Sequence, residues 1–341
     1  METPKLGWIA WEDTQSGGYA QVSHVLRRTM GELGTQFINA YTGGWDLLVA
    51  ICTPTAWLVP GHTKRPDLVI HTMFEAEPLP PGWVKNMNAM GLIWTPSSYC
   101  ADLFRSEGVT TPIVKTGYGI DANTYQFIQR EPDPHRPMRF GIWAENIISR
   151  KNVLKAVKAF VDAALPEAEL EIKVNSFAGM TPETLFTDPA GRALADITIH
   201  TGNWPRPKLV RWLQRLDCLL YLSGGEGFGL MPLEAAATGL PVILHNCSGM
   251  REYANPNDFL LVESDGKELA MSYSVGYGYQ AWMPKPSHDH AVEQIRWAYD
   301  HRVELAAMGA RASYAAQQWT WEKAARDGMD HLTAYWESIH R

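Results

Sequence analysis

Residues 221–241 read YLSGGEGFGLMPLEAAATGLP. An apolar run ends at Leu222, a glycine-rich stretch follows, and a short segment of helix formers closes on Gly239. A short apolar run bounded by turn residues suits a parallel strand buried on both faces. Pro232 fits a first helical position and Gly239 a C-terminal stop, so the predicted order is strand, loop, helix, with the helix over Leu233–Thr238. Glycines at 224, 225, 227 and 229 let the backbone come close to a bound group where side chains would hold it off. A loop running into a helix offers N–H groups and the positive end of a dipole, which together suit a diphosphate. Seven residues separate Glu226 from Glu234 on this stretch, one on the loop and one in the first helical turn. Carboxylates accept hydrogen bonds from the hydroxyls of ribose and hexose, so the spacing fits a nucleotide sugar laid across the loop.

The same rhythm extends in both directions. Upstream, Arg139–Trp143, Leu170–Val174 and Asp196–His200 read as strands, with helices over Val153–Ala164 and Lys208–Leu216; Pro241–Leu244 continues the series downstream. In the first third, Leu6–Trp11, Asp46–Cys52, Asp67–His71, Leu92–Thr95 and Ile113–Thr116 read as strands, and Ala20–Leu33 and Tyr99–Glu107 as helices. Between the two series lies QREPDPHRP at 129–137, rich in proline and charge and the best linker candidate in the chain. The alternation predicts an α/β protein with two Rossmann-like, doubly wound domains facing across a cleft, whose ligands gather beyond the carboxyl ends of the strands. From about His288 onward the pattern is helical.

Bulk properties narrow the functional classes. A chain of 341 residues suits two domains of ordinary size. With 30 Lys+Arg against 37 Asp+Glu, no global positive field draws it to nucleic acid. Cys52, Cys100, Cys218 and Cys247 form no Cys-x-x-Cys pair and read as buried thiols. No basic start followed by an apolar stretch opens the chain and no apolar run approaches a membrane span, so the expected location is cytoplasmic, with no integral membrane segment. The absence of G-x-G-x-x-G after the first strand argues against a nicotinamide dehydrogenase, and the absence of G-x-S-x-G against an α/β-hydrolase.

The run from Glu226 to Glu234, EGFGLMPLE, followed by AAATGLPVI, resembles the signature of family 4 retaining glycosyltransferases with the GT-B fold. Further pieces are collinear with that family: Gly17-Gly18, TPSSY at 95–99, GID at 119–121, RKN at 150–152, SGMRE at 248–252 and WTWEKAA at 319–325. The resemblance implies an acceptor domain over 1–130, a nucleotide-sugar donor domain over 138–312, and C-terminal helices over 313–341 that can pack back on the first domain. It implies that Glu234 binds the donor ribose, that Glu226 lies beside the donor sugar, and that Gly227, Phe228, Gly229 and Leu230 line the pocket. Lys151, with Arg150 beside it, would neutralise the departing diphosphate. His71, at a strand end, matches a histidine close to the reacting sugar and acceptor, and Gly17 and Gly18 a loop under the diphosphate or acceptor.

The chain departs from the family pattern at Gly141-Ile142-Trp143, where a Gly-Arg pair is usual, and at Tyr118, where Asn is usual. The tyrosine-rich stretch Met271–Trp282 has no counterpart and reads equally as an acceptor loop or an ordinary surface loop. Plainer readings stand beside the others too: a helix start for Glu234, a satisfied strand-end histidine for His71, and a solvated helix start for Arg150 and Lys151. No Asp-x-Asp occurs, so no metal site is expected, and no cofactor. The expected partner is a UDP- or GDP-linked nucleotide sugar as substrate. The acceptor stays open among glycan, lipid, protein, small molecule and modified nucleic acid. A nucleotide-sugar epimerase of the same architecture and a non-catalytic nucleotide-sugar binding protein are the alternatives.

Overall fold

A computed structural model of the chain describes residues 3–10, 18–146, 150–176, 197–270 and 278–341. The chain forms two compact units, Met1–Gly119 with Trp319–Arg341, and Ile120–Gln318.

Unit 1 is built on a parallel sheet of six strands, β1 (Leu6–Ala10), β2 (Phe37–Ile38), β3 (Leu47–Ile51), β4 (Arg65–His71), β5 (Met90–Thr95) and β6 (Ile113–Lys115), in the order β2-β1-β3-β4-β5-β6. Every residue of β3 and β5 is buried, as a sheet covered on both faces requires. Its helices are α1 (Gly18–Glu32), α2 (Trp83–Asn88), α3 (Ser98–Ser106) and, from the far end of the chain, α9 (Trp321–Ile339). The return of α9 is fixed by close packing: a Cβ on Gly328 would lie 2.7 Å from the Trp94 ring and 3.5 Å from Met30. The Tyr335 hydroxyl adds a bond to the Pro66 carbonyl at 2.6 Å.

Unit 2 carries the second parallel sheet, β7 (Met138–Asn146), β8 (Ala168–Ser176), β9 (Ile197–His200), β10 (Cys218–Tyr221), β11 (Val242–His245) and β12 (Leu260–Val262), in the order β12-β11-β10-β7-β8-β9. Its helices are α4 (Val153–Ala163), α5 (Arg206–Arg215), α6 (Leu230–Ala237), α7 (His288–Asp300) and α8 (Arg302–Ala316). Alternate residues of β7 and β8, Phe140, Ile142, Ala144, Leu170, Ile172 and Val174, pack in one core with Val153, Val157 and Phe160 of α4 and Ile295 of α7. Within this sheet the chain steps outward from β7 to β9, then returns to the other side of β7 as β10. That reversal makes a switch point between β7 and β10, where the loops leaving the two strands diverge and open a crevice.

An antiparallel hairpin, β13 (Ser264–Leu269) with β14 (Trp282–Pro286), follows β12 and is tied to α4 by a Lys155–Glu268 ion pair. Of the tyrosine-rich stretch between its strands, residues 271–277 lie outside the described residues. The stretch 129–137 belongs to unit 2: the Arg130 guanidinium donates to the carbonyls of Leu213, Leu216 and Thr238, and Arg136 grips both oxygens of Asp217 at 2.6 Å. Among the described residues no helix is long and apolar enough to cross a membrane.

The Thr320 hydroxyl caps α9 by accepting from the Lys323 N–H at 3.1 Å. Thr320→Ala should lower stability by about 1 kcal/mol, read as a lower denaturant midpoint. An unchanged midpoint would mean that α9 does not depend on this cap.

Candidate active site

At the switch point of unit 2 the segments leaving β7 and β10 are joined backbone to backbone. Asn152 sits in the left-handed region at φ 53°, a conformation asparagine tolerates, and its side-chain amide donates to the Leu222 carbonyl at 3.0 Å. The Gly224 N–H donates to the Arg150 carbonyl at 2.8 Å. These bonds place the Arg150 and Lys151 side chains beside the loop 222–229, whose residues are all buried.

The centre of the cluster is Glu226, 5% exposed. Its Oε1 accepts from Lys151 Nζ at 2.5 Å, Ser223 Oγ at 2.7 Å, Tyr221 Oη at 2.8 Å and Arg150 Nη1 at 3.1 Å. The backbone is held as well: the Glu226 N–H donates to Ser248 Oγ at 2.8 Å, and its carbonyl accepts from the Gly249 N–H at 2.9 Å. Burial alone would push the carboxyl up, but the charges of Arg150 and Lys151, with the bonds from Lys151 and Ser223, overcome it and hold the group at about 2. Burial and the Glu226 charge drive the Tyr221 phenol well above its ordinary value, so it stays a donor. Two cations, Arg150 and Lys151, thus converge on this carboxylate.

The rest of the loop is shaped by close contacts. A Cβ on Gly249 would fall 2.1 Å from the Gly227 carbonyl oxygen, so only glycine allows the turn at 248–252 to approach. Gly229 takes φ +92°, which lets the chain swing directly into α6, and its carbonyl accepts from the Tyr253 hydroxyl at 2.7 Å. Phe228 is buried against the Tyr253 ring at 5.6 Å. The helix begins at Leu230, three residues before the predicted Leu233. Pro232 is accommodated because N–H groups of a first turn have no intrahelical acceptor. Two loop amides predicted to await an anion, those of Gly224 and Glu226, are already engaged within the protein.

Glu234, also 5% exposed, has a separate set of partners. Arg206 Nη1 lies 3.6 Å from its Oε2, and the same nitrogen donates to the Tyr125 hydroxyl at 2.7 Å. In unit 1, His71 ends β4, fully buried, with Nε2 2.7 Å from the Tyr118 hydroxyl and its ring edge-on to Trp94 at 4.7 Å. Burial lowers its pKa to about 3, so the imidazole is neutral. Tyr118, the departure from the family's Asn, stacks on Trp321 of α9 at 5.7 Å. Gly18 opens α1 on the surface with open space around it, and Gly17 lies outside the described residues. Thus Glu226, Arg150 and Lys151 come together, Gly227–Leu230 connect them to Glu234, and His71 and Gly18 belong to unit 1.

Sequence reading missed Tyr221, Ser223, Ser248, Tyr125 and Arg206. Arg206 carried a usable signal: it opens a helix directly after Pro205, where the dipole disfavours a cation unless an acid compensates. Tyr221 and Ser223 stand close to Glu226 in the chain and meet it because the loop folds back on itself, while Ser248 and Tyr125 come from distant segments that no spacing records.

Residues 140–273 match the family model described as Glycosyl transferases group 1. A stretch of 124 residues is 35% identical to the D-inositol 3-phosphate glycosyltransferase of Paenarthrobacter aurescens (strain TC1), covering 34% of this chain and 29% of that protein. The match therefore spans less than a third of that relative's length. In structure, the chain is similar to sucrose-phosphate synthase from Thermosynechococcus elongatus, with a TM-score of 0.73, 12% identity, and 98% of this chain and 100% of the other covered. It is similar also to Anabaena Alr3699/HepE in complex with UDP-glucose, with a TM-score of 0.68, 12% identity, and 97% and 100% covered. The fold is the α/β, two-domain Rossmann-like GT-B fold. Its unit 2, from β7 through the glycine loop and past β12, carries the group 1 match.

Because the Glu226 carboxyl is held below its ordinary value, its pairing stabilises the fold above about pH 4.5 and loses that effect as pH falls toward about 2. Glu226→Gln should cost on the order of 3 kcal/mol at pH 7, since two largely buried cations lose their counter-charge. Denaturant titrations of both proteins at pH 7 and pH 3 should show the gap narrowing at the lower pH. A gap of constant size would mean that the ionised form of Glu226 is not what the pairing stabilises.

Proposed function

We propose that this protein is a glycosyltransferase that moves a sugar from a nucleotide-diphosphate donor, UDP- or GDP-linked, to an acceptor, with retention at the anomeric carbon and without a metal ion or cofactor. The observation that carries the reading is the convergence of Arg150 and Lys151 on the loop of Glu226, at the switch point of a sheet that matches the group 1 family. A crevice bordered by two such cations suits a diphosphate. The UDP-glucose named with the Anabaena neighbour favours a uridine donor.

In this reading the bond between the anomeric carbon and the diphosphate oxygen breaks as the acceptor oxygen bonds to the same face, and the acceptor proton passes to the leaving phosphate. Lys151 and Arg150 take up the charge that develops on the departing group, so no divalent ion is required. Glu226, kept ionised by those same cations, contacts the donor sugar, and Gly227, Phe228, Gly229 and Leu230 line its pocket. Glu234 receives the ribose hydroxyls. His71, neutral, serves as a hydrogen-bonding group for the sugar or acceptor rather than as a cation, and Gly17 and Gly18 are further donor-binding positions.

Incubation with a panel of UDP- and GDP-sugars, in EDTA and with and without acceptors, should give donor hydrolysis or transfer. Interconversion of the donor sugar without release of nucleotide, or binding with no turnover, would overturn the proposal. Lys151→Ala should lower kcat roughly 10²-fold with a smaller effect on KM, and an unchanged kcat would remove Lys151 from leaving-group stabilisation. Glu226→Ala should lower turnover with a modest loss of nucleotide binding.

A further inference from the structure

The partners of Glu234 form a short relay that begins outside the glycine loop. Tyr125 is 2% exposed. Its hydroxyl receives a bond from Arg206 Nη1 at 2.7 Å and lies against the Glu234 carboxylate. The Arg206 guanidinium also stands over the Tyr125 ring, 5.8 Å from its centre, while its Nη1 is 3.6 Å from Glu234 Oε2. The inventory of donors permits one arrangement. A guanidinium only donates, so the Tyr125 hydroxyl accepts from Arg206, and the same guanidinium faces the Glu234 carboxylate. Burial and the charge of Glu234 keep the phenol protonated.

The segment that carries Tyr125 is itself fastened to the helix that carries Glu234. The Ile128 N–H donates to the Thr238 carbonyl at 3.2 Å, and Arg130 Nη1 donates to the same carbonyl at 2.8 Å, both at the end of α6. Gln214 of α5 adds a bond to the Gln126 carbonyl at 3.4 Å. Tyr125 and Arg206 are thereby set in place relative to α6, and the first-turn position of Arg206, unfavourable toward the α5 dipole, is offset by Glu234.

The geometry points to Tyr125 and Arg206 as positioning residues that hold the Glu234 carboxylate in the orientation that receives the ribose hydroxyls of the donor. Fixing a carboxylate through a neighbouring guanidinium sets the direction of its oxygens, as recognition of a vicinal diol requires. The inference rests on the donor reading above, and the test separates the two.

Whichever of UDP and GDP binds the wild-type protein more tightly is compared by calorimetry with its 2′-deoxy and 3′-deoxy forms, and with inorganic pyrophosphate as a probe blind to the ribose. The wild type should prefer the ribonucleotide by about tenfold or more, the loss expected when a hydrogen bond to a charged group is deleted. Tyr125→Phe and Arg206→Gln should each shrink that preference to within a few-fold of unity while leaving pyrophosphate affinity unchanged, a pattern that general loosening of the fold would not produce. Glu234→Gln, which alters the carboxylate directly, should lose the preference as well. If Glu234→Gln loses it while both Tyr125→Phe and Arg206→Gln keep it, the positioning role is wrong and the ribose reading stands. If the wild type shows no preference, or Glu234→Gln retains it, the ribose reading itself falls. Arg206 is partly exposed, so Arg206→Gln decides the matter should Tyr125→Phe fail to fold.

Discussion

A carboxylate removed from water must be matched by positive charge and hydrogen-bond donors, and unit 2 meets that requirement at Glu226 with Lys151, Arg150, Ser223 and Tyr221 on a single oxygen. The donors come from two chain segments some 70 residues apart that leave neighbouring strands of one sheet. Remove that pairing and the loop 222–229 would carry an uncompensated buried charge. The shape of the loop and the position of both cations thus follow from one electrostatic constraint.

The same constraint sets how the site can respond to an anion. Lys151 and Arg150 are engaged with Glu226, so the diphosphate of the proposed donor would meet cations that already have a partner. The pairing also holds Glu226 ionised, which keeps it a hydrogen-bond acceptor rather than a donor. Glu234 is built on the same logic with different means, a guanidinium acting partly through a tyrosine hydroxyl.

Much of the sheet framework was legible from residue order because strands buried on both faces are short apolar runs. Leu6–Ala10, Leu47–Ile51, Arg65–His71, Met90–Thr95, Ile113–Lys115 and the five strands of unit 2 from Met138–Asn146 to Val242–His245 coincide with runs that read as strands, whereas Leu260–Val262 does not. Elements without such a run were not legible. Phe37–Ile38 is too short to show a period, and Ser264–Leu269, SDGKEL, is polar and largely exposed. The start of α6 was read late because Pro232 resembles a first helical residue, whereas the left-handed Gly229 admits the helix earlier.

By itself the sequence determined the α/β alternation, the glycine loop between a strand and a helix, and the spacing of Glu226 and Glu234, since each depends on residues close together in the chain. Tertiary structure alone decided which side chains those glutamates meet. Tyr221 and Lys151 converge because β10 returns beside β7, and Tyr125 reaches Glu234 because 125–130 is bonded along α5 and α6. Local preferences act over a few residues, whereas a buried charge takes its partners from whatever the sheet order brings within about 3 Å, and that order is a property of the whole unit.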